Sequence, residues 1–68
     1  MKTYKEMCAS TALLLGCKED RVDEVWSHVK SYPFTLTASS FVYQVADAMK
    51  RVGQQPDMSM AERAGTYL

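Results

Sequence analysis

Three backbone breakers, Gly16, Pro33 and Gly53, cut this 68-residue chain into short segments, and the apolar residues between them recur at helical spacing. In the first segment Tyr4, Met7, Cys8, Thr11, Leu14 and Leu15 fall at steps of three and four. Thr3 with Glu6 three residues on has the form of a capping box, and Gly16 suits the left-handed turn that ends a helix. In the second, Glu19 and Asp20 put negative charge at the positive end of a helix dipole. Val22, Val25, Trp26 and Val29 follow as one stripe, and Pro33 disfavours helix in the residue before it, so an end near Ser31 or Tyr32 is predicted. The third helix is predicted to start after Thr37, a good N-cap, and to carry Ala38, Phe41, Val42, Val45, Ala48, Met49 and Val52 inward. Lys50 and Arg51 favour its C-terminal end, and Gly53 closes it.

Three amphipathic helices on short connectors must bury their stripes against one another. The fold expected is therefore all-α, a compact three-helix bundle over residues 3–53. Its expected core is Met7, Leu14, Val22, Val25, Trp26, Val29, Phe41, Val42 and Val45. Trp26 is the largest block, so Trp26→Ala is expected to unfold the domain, at about 3–5 kcal/mol. The connector "YPFTLT" is too apolar to sit free; Phe34 and Leu36 are expected on the bundle, with Tyr32 partly covered. Residues 54–68 read as a polar linker, "QQPD", and then "SMAE", a second capping-box pattern at Ser59–Glu62. That pattern starts a short fourth helix through about Gly65, with Met58, Met60, Ala61 and Ala64 facing the bundle, or else a frayed tail. A segment so short has little helicity by itself, and both alternatives stay open.

Composition narrows the function. Eight basic residues balance eight acidic ones, which argues against nucleic acid or an anionic membrane surface as the partner. No apolar run approaches the ~20 residues of a spanning helix, and the N-terminus lacks the apolar segment of a signal peptide. Cys8 and Cys17 are then expected as free thiols in an intracellular compartment, cytoplasmic or nuclear. Cys8, Cys17 and His28 do not have the spacing of a zinc site, so neither metal nor cofactor is expected.

The residues that carry chemistry read as structure. His28 lies two positions from Trp26, off the apolar stripe, as an ordinary surface histidine. Cys8 reads as a small buried apolar residue. Cys17, near a helix start where thiolates are favoured, keeps a redox role open. Glu19, Asp20, Asp23 and Glu24 form a solvated face with Lys18 and Arg21 at hand. There is no glycine-rich phosphate loop, and the second and third helices lack the basic face of a DNA-reading helix. An enzyme is not expected.

"LLLGCKEDRVDEVW", Leu13–Trp26, resembles the start of a UBA (ubiquitin-associated) domain, a three-helix bundle. Leu15-Gly16-Cys17 stands at that family's Met-Gly-Phe-type loop, Glu19-Asp20 at its polar pair, and Ala48-Met49 at its third-helix double-leucine position. The connector "HVKSYPFTLTASSF" is similar to the longer second loop of the UBA domains of inhibitor-of-apoptosis proteins; CUE domains share the fold. The resemblance spans about residues 7–52. It implies a non-catalytic interaction module, monomeric or weakly self-associating, that binds ubiquitin or a ubiquitin-like protein. The implied contact residues are Leu15, Gly16, Cys17, Ala48, Met49 and Val52. The departures are Leu15 for Met, Cys17 for an aromatic and Ala48-Met49 for the leucines, which leave less apolar area to offer. A helical adaptor or oligomerisation domain with another protein partner is the alternative, motivated by the apolar connector and the Met-rich tail.

Overall fold

The computed structural model of the chain describes residues 3–33 and 37–66, so the expected packing of Phe34 and Leu36 lies outside the described residues. Four α-helices occur among them: α1 (Tyr4–Leu14), α2 (Val22–Val29), α3 (Ala38–Arg51) and α4 (Ala61–Thr66). Single 3-10 turns, Glu19–Arg21 and Met58–Met60, lead into α2 and α4. The radius of gyration is 10.3 Å, close to the ~11 Å expected of a compact chain of this length.

Each helix boundary has a chemical cause. Thr3 Oγ1 accepts from Glu6 N at 3.1 Å while Thr3 N donates to Glu6 Oε1 at 3.3 Å, the reciprocal pair of a capping box. Thr37 Oγ1 accepts from Ser40 N at 3.1 Å and starts α3. α1 and α3 end alike. Gly16 (φ 92°) and Gly53 (φ 79°) turn left-handed. The residue after each glycine donates back into its helix, Cys17 N to Ala12 O at 2.9 Å and Gln54 N to Met49 O at 2.8 Å. Gly16 N bonds Leu13 O and Gly53 N bonds Lys50 O, which completes a Schellman motif at each end. α2 ends with its stripe at Val29, with Lys30 as its cap, just short of the end near Ser31 or Tyr32 expected from Pro33.

The core sits where α1, α2 and α3 meet; Val25, Val29, Phe41, Val42 and Val45 are buried as expected, while the expected Met7, Leu14, Val22 and Trp26 are only partly buried. α1 buries Cys8, Thr11 and Ala12, with Leu15 just beyond, while Tyr4, Met7 and Leu14 pack at the margin. α2 buries Val25 and Val29; Val22 and Trp26, on the adjacent row, are half-buried. Trp26 is therefore not the centre of the core. Its ring meets Tyr4 edge-on at 5.6 Å between centroids, and Tyr4 meets Phe41 at 5.1 Å, an aromatic margin closing one side. Large residues were the obvious core candidates. The buried set also includes small residues, Cys8, Ala12, Ala46 and Ala48, beside the larger Leu15 and Met49.

Residues 54–66 are docked. Pro56 and Ala64 are buried, Met60 and Ala61 pack against the core, and α4 lies on α3 and α1. Ser59 is not the cap expected of it. Asp57 takes that place, its Oδ1 accepting from Ser59 N at 3.1 Å and Ser59 Oγ at 2.6 Å. The 3-10 turn this starts rotates Met58 outward, 38% exposed rather than facing the bundle. The exit of α2 is tied to α3 by polar contacts: Tyr32 Oη donates to Asp47 Oδ2 at 2.7 Å, Arg51 Nε donates to the same oxygen at 3.1 Å, and Gln44 Nε2 donates to Pro33 O at 3.0 Å. Tyr32's hydroxyl and the Arg51 guanidinium together hold the Asp47 carboxyl below its usual range.

Candidate functional site

The two Schellman caps lie side by side and form one corner of the molecule. Lys18 N, just past the first cap, donates to Oε1 of Gln54, the last residue of the second, at 3.1 Å. Arg21 reaches from the α2 entrance and donates Nη2 to Val52 O at 2.8 Å. A cation is thereby placed at the negative end of the α3 dipole, on a carbonyl that has no partner within the helix. Glu24 holds the other side of the guanidinium at 3.0 Å. Asp57 N then donates to Leu15 O at 2.9 Å, which takes the C-terminal segment across the Gly16-Cys17 turn.

This corner brings together the stretches that carry all six residues implied by the resemblance, but it points most of their side chains inward. Leu15, Ala48 and Met49 have no exposed surface, and Cys17 and Val52 are 6% and 9% exposed. Gly16 is the exposed member, and it offers backbone alone. The physical reason is the cap itself. In a Schellman motif the residue after the glycine folds back over the last helical turn and is favoured when apolar. Cys17 therefore joins Ala12 and Leu15 in the core.

The thiols are quiet. Burial pushes Cys8 up to about 12, with Cys17 nearby adding to the effect. Cys17 is also raised, by burial first; Arg21 pulls the other way and Asp20 adds to the rise. Its Sγ donates to Lys18 O at 3.4 Å. The expectation that the α2 entrance would favour a thiolate there is corrected, since desolvation outweighs the helix end and Arg21 together. His28, expected on the surface, is half-buried.

Among the described residues no group of three or more His, Cys, Asp or Glu side chains gathers as metal ligands, and no helix is long and apolar enough to cross a membrane. The exposed large apolar side chains among them are Leu13, Tyr43 and Met58. Tyr43, 62% exposed, stands at a groove of about 240 Å³ between α3 and α4, lined also by Ser39, Val42, Ala61 and Glu62.

Arg21, Gln54 and Asp57 build the corner without having been expected there. Gln54 alone had a local signal, as the residue after a helix-ending glycine; the other two act across the fold. The fold and corner define a small all-α bundle with a capped double-helix end. No family model matches the chain, and neither a curated protein nor a solved structure is found similar to it.

Proposed function

We propose that the chain is a non-catalytic protein-interaction module that binds ubiquitin or a ubiquitin-like protein at the corner joining the α1–α2 turn to the end of α3. One observation supports this above the rest. The Lys18–Gln54 and Arg21–Val52 hydrogen bonds set Leu15-Gly16-Cys17 beside Ala48, Met49 and Val52, the two stretches the UBA resemblance assigns to one surface. The suppressed thiols support a non-catalytic reading, because a nucleophilic cysteine needs an accessible thiolate. Amide NMR of the labelled chain titrated with ubiquitin tests it. Shifts at Gly16, Cys17 and Met49 are expected, and an unchanged spectrum at millimolar ubiquitin removes the reading.

A second reading, a helical adaptor or self-associating domain, is favoured by Tyr43 beside the α3–α4 groove. Shifts at Tyr43 and Ala61 on raising the chain's own concentration, with a matching rise in scattered light, would favour it.

A further inference from the structure

We propose that residues 54–66 are a displaceable cover over the α1–α3 face, so that a ubiquitin-like partner at the corner competes with the chain's own C-terminal segment. The inference rests on the corner reading. α1 and α3 are the two helices whose ends carry the six implied contact residues, and they are the two helices α4 packs on.

The cover is attached to the backbone of the turn itself. Asp57 N takes the Leu15 carbonyl at 2.9 Å and Gln54 Oε1 takes the Lys18 amide at 3.1 Å. Leu15 and Lys18 flank Gly16-Cys17, so the segment bridges both sides of that turn. A partner approaching along the same line displaces the cover and must satisfy the same carbonyl and amide.

The helix of the cover depends on its docking. α4 has six residues, far below the ~12–15 at which an isolated helix becomes even marginal, so it is helical because it is docked. Ala64 is its fully buried residue. Its leading edge is imperfectly seated, since the 240 Å³ groove opens between Ala61 and Glu62 of α4 and Ser39, Val42 and Tyr43 of α3. A helix too short to persist undocked, with a gap at its seam, opens at lower free energy than the body it lies on. The apparent affinity of the corner is then the intrinsic affinity reduced by the fraction of molecules open.

The test uses the full chain with ubiquitin as the probe, in three forms. Ala64→Lys places a charge where α4 is buried, Gln54→Ala removes the hydrogen bond to Lys18, and Gly65→Ala strengthens the helix. Ala64→Lys is expected to bind at least 10-fold more tightly than the parent, Gln54→Ala about 3-fold more tightly, and Gly65→Ala more weakly. Hydrogen exchange is expected to show the α4 amides opening well before those of α1–α3. Parent-like affinity in Ala64→Lys and Gln54→Ala, with α1–α3 intact by amide NMR, overturns the cover while leaving the corner reading in place. Loss of the whole fold in Ala64→Lys, or exchange of α4 amides only with global unfolding, likewise overturns it, because α4 is then part of the body. Absence of binding in all forms, with α4 open, overturns the corner reading and the cover with it.

Discussion

The three glycines provide a test in which one substitution, Gly to Ala, should act with opposite signs. Gly16 and Gly53 sit at φ 92° and 79°, and a Cβ added at either would meet nothing within 4 Å. The cost is therefore backbone alone, about 1–2 kcal/mol for an L-residue held in the left-handed region. Gly65 lies within α4 at an ordinary helical φ, again with nothing within 4 Å of an added Cβ. There alanine removes glycine's excess chain entropy and gains about 0.5–1 kcal/mol, less if the helix end frays. In a domain this small, each 1 kcal/mol moves the midpoint by roughly 4–8 °C. Gly16→Ala should thus melt roughly 4–16 °C below the parent and Gly65→Ala roughly 2–8 °C above it. Thermal and urea unfolding followed by far-ultraviolet circular dichroism reads both, with an unchanged urea slope showing that the native state is the same. A neutral Gly16→Ala would refute the left-handed cap, and a destabilising Gly65→Ala would refute a helix at Ala61–Thr66.

Two further outcomes follow from the core. Cys8 carries a folded value of about 12 against an ordinary 9.0, so the unfolded chain releases its proton first. Its contribution is whole below about pH 9 and is lost as pH rises from there toward 12, at no more than ~1.4 kcal/mol per pH unit. Urea midpoints across that range should fall in the parent and fall less steeply in Cys8→Ala; parallel lines would mean that the thiol is not buried. Leu15→Ala, at a site with no exposure, should cost about 2–5 kcal/mol, while Trp26→Ala at the aromatic margin should cost less than that and less than the about 3–5 kcal/mol of a fully buried tryptophan. Equilibrium unfolding that ranks Trp26→Ala as the costlier change would return Trp26 to the centre of the core.

Much of the fold was legible because its signals are local. Thr3 with Glu6 and Thr37 with Ser40 mark helix starts through bonds spanning three residues. Gly16 and Gly53 mark ends through a backbone angle few other residues adopt. What went astray was decided by packing. Period alone defines a stripe roughly two residues wide, and Cys8, Ala12 and Leu15 compete for the centre with Tyr4, Met7 and Leu14. Size favoured Met7, Leu14 and Trp26, which lie at the margin, over Cys8, Ala12 and Leu15, while Val25, Val29, Phe41, Val42 and Val45 are buried as their stripe predicts. The third cap shows the same limit: Ser59 with Glu62 matches a capping box, yet Asp57 two residues earlier captures both the amide and the hydroxyl of Ser59.

The corner was half legible, for a reason that bears on what the chain does. A Leu-Gly-Cys turn reads identically whether its apolar residue faces a partner or folds back on its own helix, since the Schellman geometry favours an apolar side chain there in both cases. The adjacency of the α1 and α3 ends was accessible from topology. The direction of the side chains was not, and the turn is also met by a segment some forty residues away that signals itself only as polar linker and short helix. Among the described residues the Asp57–Leu15 hydrogen bond joins that segment to the turn backbone to backbone, beside the Gln54 side chain on the Lys18 amide. It spans a long loop in sequence, so its closure carries an entropic cost that the bonds within the helices do not. Closure of the corner therefore rests on contacts that no local sequence signal marks, unlike the helix caps on either side of it.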